Sequence, residues 1–118
     1  MQTWYTQKTA DIVASLREAT DVYGGNLLDH TIIPFVSEIS NASHSRSPKA
    51  ALIFGGKKLG MKGGQLLNFE SDVRPHNDLW ATIAQAYFAS TNPLEALEAE
   101  VFVKDDVAPI PGLWERPG

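Results

Sequence analysis

Arg74-Pro75-His76-Asn77-Asp78 gathers a guanidinium, an imidazole, an amide and a carboxylate into five residues, directly ahead of an apolar-periodic run. The first turn of a helix leaves backbone N–H groups unpaired and carries the positive end of the helix dipole. Such a position attracts anions. Arg74 can grip a phosphate- or sulfate-like group with two parallel hydrogen bonds. His76 and Asn77 stand beside it at the helix start, so the three form a candidate anion-binding group. The plain alternative is that Asn77 and Asp78 only cap the helix by accepting an orphan N–H, while Arg74 and His76 are ordinary loop residues. Two further places carry chemistry. Glu38 follows a strand-like run at its carboxyl end, where open α/β sheets bind ligands. His44 and Arg46 lie in the polar loop Ser40–Pro48.

These groups need elements to hold them. Pro75 keeps Arg74 extended, and Leu79, Trp80, Ile83, Ala84, Tyr87 and Phe88 then recur on one face of a 3.6-residue period. That face is rich in aromatics and suits packing on a sheet. A first helix is expected over Thr6–Tyr23, with Ile12, Val13, Leu16, Ala19 and Tyr23 inward, Trp4 and Tyr5 stapling its start, and Gly24-Gly25 as its stop. Leu27–His30 reads as a turn into the β-branched run Thr31–Ser37, a buried strand in which Pro34 demands an edge or a bulge. Lys49–Phe54 reads as a second strand closed by Gly55-Gly56, and Gln65–Phe69 as a third. The glycine-bearing turn at 55–60 lacks the spacing of a phosphate-binding loop. At the end of the chain, Leu113 and Trp114 are expected to pack back onto the domain.

The chain has 118 residues, 43 % of them hydrophobic, which suits one small domain over 1–118. Its net charge is −4 and its densest basic patch is only Lys57, Lys58 and Lys62, so nucleic acid is not an expected partner. With no cysteine, disulfide and thiolate chemistry are excluded in this chain. No apolar run reaches the roughly 20 residues of a membrane helix, and the first residues lack the features of a signal peptide.

The succession of LLDHTIIPFVSE, the polar His loop, ALIFGGKKLGMKGGQLL, RPHNDLWATIAQAYF and PIPGL has a further meaning. It resembles the C-terminal part of a large family of uncharacterised secreted bacterial proteins from planctomycetes and myxobacteria. Those proteins are similar, at a distance, to the alkaline phosphatase and sulfatase superfamily. The resemblance covers residues 6 to 113. It implies an α/β fold, the C-terminal portion of a three-layer α/β/α sandwich, with a small mixed sheet and two main helices. It also implies that the chain corresponds to a fragment of a larger protein whose nucleophile and first metal ligands lie upstream. The superfamily places an Asp-His pair after a strand in this region. Here Glu38-Ile39 stands instead, so the acid is kept and the histidine is not. What the resemblance then implies is a divalent metal, zinc or calcium, with His44 or His76 as nitrogen ligands and Glu38 and Asp78 as oxygen ligands.

Two functions follow. One is a non-catalytic module that binds a small anionic ligand or self-associates as a homodimer, because a sheet cut from a larger sandwich exposes an apolar face. The other is a metal-dependent phosphate or sulfate ester hydrolase with a whole or partial site. Ser37, Ser40, Ser43 and Ser45 lack the elbow or ordered triad of a nucleophile, which favours the first.

Overall fold

The computed structural model describes residues 2–37, 50–69, 76–88 and 108–117. It shows a small α/β arrangement of two helices and a two-stranded antiparallel sheet. Helix α1 spans Gln2–Glu18, strand β1 Ile32–Val36, strand β2 Ala51–Gly55 and helix α2 His76–Phe88, with short 3-10 turns at Leu27–His30 and Lys57–Leu59.

The strands pair with Ile33 opposite Phe54 and Phe35 opposite Leu52, and with Ile32 opposite Gly55, Pro34 opposite Ile53 and Val36 opposite Ala51. Directly opposed residues share a face, so this register divides the sheet into two surfaces. Ile32, Val36 and Ile53 pack on a core of Met61, Leu79, Ala86 and Leu113. The aromatic surface of Phe35, Leu52 and Phe54 turns towards α1. Pro34 is tolerated because, among the described residues, β1 has a neighbour on one side only. The expected mixed sheet is thus an antiparallel pair in the described residues. Residues 65–69, read as a third strand, form no regular element.

The C-terminal segment closes the core. Met61 and Trp114 form an isolated bridge. Around it, Lys62 donates its N–H to the Leu113 carbonyl at 2.9 Å and Glu115 donates to that of Gly60 at 3.0 Å. The indole N–H of Trp114 reaches the Leu59 carbonyl at 2.6 Å. Leu113 is buried, as expected for a chain end that packs back. Two glycines upstream allow close backbone approach, Gly60 to this segment and Gly55 to the turn before β1. Gly60 has φ +93°, and a Cβ there would collide with the Glu115 carbonyl. Gly55 has φ +81°, and a Cβ would strike the carbonyls of Thr31 and Leu28. Both positions need glycine for close backbone approach.

The first helix differs from expectation at both ends. It begins before Trp4 and stops at Glu18, because the chain from Ala19 to Leu27 folds on itself instead of continuing. Thr20 bridges Asn26, Asp21 donates to the Gly25 carbonyl at 3.0 Å and Leu27 to that of Ala19 at 3.0 Å. Trp4 and Tyr5 do not staple the helix to the core. They sit exposed in its first turns and pack edge to face on each other, with centroids 5.2 Å apart.

Candidate functional site

At the start of α2, Asn77 and Asp78 lie in the first turn itself rather than before it. Asp78 is buried, 3 % exposed. Its Oδ1 accepts the backbone N–H of Ala108 at 3.1 Å. One turn on, the fully buried Thr82 donates its hydroxyl to the Asp78 carbonyl at 2.7 Å and accepts the N–H of Ile110 at 2.8 Å. The acid expected as a metal ligand therefore ties α2 to the returning chain end. This also explains which face α2 buries. The sequence places Leu79, Trp80, Ile83, Ala84, Tyr87 and Phe88 inward. In the structure Asp78, Leu79, Ala81, Thr82 and Ala86 are the buried positions, and Trp80, Tyr87 and Phe88 are turned out. The hydrogen bonds to 108–110 roll the helix away from its aromatic face.

Glu38, His44 and Arg74 lie outside the described residues, so their placement relative to His76, Asn77 and Asp78 is not on view. The structure does bring the carboxyl end of β1 and the helix start onto one core, since Val36 packs on the cluster that holds Leu79. Among the described residues no three His, Asp or Glu side chains gather into a metal-binding group. No described helix is long and apolar enough to cross a membrane.

Two features were not anticipated from the sequence. The first is a buried acid, Asp21, in the turn after α1. Its Oδ1 accepts the N–H of Tyr23 at 2.8 Å, and its Oδ2 lies 3.0 Å from Nδ1 of His30. That nitrogen is inaccessible to solvent and makes no hydrogen bond, although the carboxylate stands beside it. His30 is thus half-buried beside an acid. Nine residues separate the pair, a spacing with no local signature.

The second is a cavity of about 490 Å³ between α1 and the sheet, lined on the helix by residues from Thr6 to Val13 and Ala14, with Arg17 and Glu18 at its end, and by Phe35, Leu52 and Phe54 below. A volume of this size lies in the range of about 300–1,000 Å³ typical of ligand pockets. Over its middle the helix presents the small side chains of Ala10 and Ala14 to the large ones of Phe35, Leu52 and Phe54. The floor is apolar, and Leu52 is 53 % exposed. Arg17 and Glu18 stand together at one end, a mixed-charge rim in which neither forms an ion pair among the described residues. The spacing of residues 6, 10 and 14 was legible as a helical ridge, but the hollow beneath it was not.

No protein-family description, curated protein or solved structure matches this chain.

Proposed function

We propose that this chain is a non-catalytic α/β module that works by self-association as a homodimer. The observation that carries the reading is the one-sided core. The sheet buries one surface against α2 and the chain end, while its other surface lies under an open helix with a hollow between. Among the described residues only Met61, Leu79, Ala81, Ala86 and Leu113 are buried apolar residues.

Burying apolar area in a closed symmetric pair is the simplest remedy for such a surface. Asp78 adds to the non-catalytic side of the argument, because its Oδ1 already serves the backbone of Ala108.

The test is sedimentation of the metal-stripped protein from low to high micromolar concentration, followed by addition of zinc, calcium or magnesium. A concentration-dependent dimer with no metal requirement is the expected result. A monomer throughout overturns the proposal. Stoichiometric metal uptake, lost on Asp78→Asn substitution, would instead support the ester-hydrolase alternative with Glu38, His44, His76 and Asp78 as its ligand candidates and Arg74, His76 and Asn77 on the anion.

A further inference from the structure

We propose that the two copies of the homodimer exchange their chain ends, each docking residues 108–115 in the other's groove between the start of α2 and residues 59–65. The inference rests on the self-association reading and names the segment that each partner contributes.

The groove holds an extended segment by its backbone. Asp78 and Thr82 are buried on α2, and their side-chain oxygens accept the N–H groups of Ala108 at 3.1 Å and Ile110 at 2.8 Å. From the other wall, Gln65 donates its Nε2 to the Gly112 carbonyl at 2.7 Å. Lys62 donates its N–H to the Leu113 carbonyl, and the Gly60 carbonyl accepts that of Glu115. The segment's composition is matched to these bonds. Pro109 and Pro111 have no N–H to satisfy, and their fixed φ reduces the freedom lost on docking. Ile110, Leu113 and Trp114 pack into the core, whereas Pro111 and Gly112 stay exposed. Main-chain bonds for affinity and side-chain pockets for register are the means by which a groove recognises a separate extended peptide.

A groove that holds this segment holds the same segment of a second copy through the same bonds. The contacts therefore carry no preference for the chain's own end, and the connection decides. Residues 89–107 join Phe88 to Ala108. To return to Asp78 they must cover about 15 Å, the length of α2 back from Phe88 at about 1.5 Å per residue. Fully extended they reach about 60 Å at roughly 3.3 Å per residue, which is ample for a neighbouring copy. Exchange is also self-closing. Each copy gives one segment and receives one, so no groove stays empty and no third copy is recruited. The pairing keeps Leu113 in a core and makes closure of the fold part of the interface.

Lys62 and Glu115 report which copy supplies the end, because their ion pair crosses from groove to segment and both are exposed. Equal amounts of isotopically light and heavy full-length protein are refolded together from urea, and a zero-length carbodiimide couples the Lys62 amine to the Glu115 carboxylate. Mass spectrometry of the digest reads the linked peptides. Exchange predicts that about half of these links join a light peptide to a heavy one, the statistical share for reciprocal pairs. Lys62→Glu and Glu115→Lys chains give a second reading. Each alone sets like charges together, whereas an exchanged heterodimer sets opposite charges in both grooves and should outnumber either homodimer severalfold. Links within one isotope only, with no heterodimer preference, in a protein that sediments as a dimer overturn the exchange and leave self-association standing. A monomer at every concentration overturns both.

Discussion

Helices α1 and α2 both carry apolar residues at helical spacing, yet α2 buries five residues and α1 buries none of those described. The longer helix is the more open one. Hydrophobic content accounts for part of the difference, because α2 is the more apolar helix, although α1 also holds Trp4, Tyr5, Ile12, Val13 and Leu16. The rest lies in what returns to each helix. The chain end comes back to α2 and bonds to it through Asp78 and Thr82. Nothing described does the same for α1, which is joined to the sheet chiefly through the turn at 19–30. A helix is held by the surface that meets it, and among the described residues α2 meets more of one than α1 does.

Paired substitutions sharpen this contrast. Leu79→Ala, which empties a buried position on α2, should destabilise the fold by about 2–5 kcal/mol. Ile12→Ala on α1 should stay within about 0.5 kcal/mol in the monomer. Urea titrations of the two variants read the difference directly, and equal losses would show that α1 is packed as tightly as α2. Thr82→Val keeps the shape but removes the oxygen that accepts the Ile110 N–H. It should cost about 1–3 kcal/mol, as expected when a buried donor is left unsatisfied. Hydrogen exchange at Ile110 should accelerate with it, while amides in α1 stay unchanged.

The smallest effect belongs to the surface of the closure. Glu115 forms an ion pair with Lys62, and the hydrogen bond and charge of that lysine hold its carboxyl below the ordinary range. A carboxyl lowered in the folded state stabilises the fold fully above its unfolded value. The contribution fades as pH falls from there through the lowered folded value. Both groups are exposed, so the contribution is small and weakens with salt. Glu115→Gln should flatten this part of the stability–pH curve at acidic pH and change nothing near neutrality beyond the loss of the pair itself.

Much of the framework was legible because it is set by neighbours in the chain. Pro75 and the apolar period mark α2, the β-branched run marks β1, and the glycine pair at 55–56 marks the end of β2. The site was less legible. Asp78 looks like a cap from its place before Leu79, and only its contact with Ala108, 30 residues away, shows that it anchors the chain end. The aromatic stripe of α2 looks like a core face for the same reason. Local spacing records which residues share a side, but not what that side meets.

What the sequence determined by itself is therefore local: the existence of two helices and two strands, the glycine-dependent turns, and the absence of thiol chemistry. Only the tertiary structure decided which helix face is buried, that Asp21 and His30 meet, and that small residues on α1 stand over Phe35, Leu52 and Phe54 with a hollow between. Backbone preferences act over a few residues, and a single chain segment states them. Burial and pairing depend on surfaces that arrive from 28 to 55 residues away, so no stretch of sequence contains both halves of the contact.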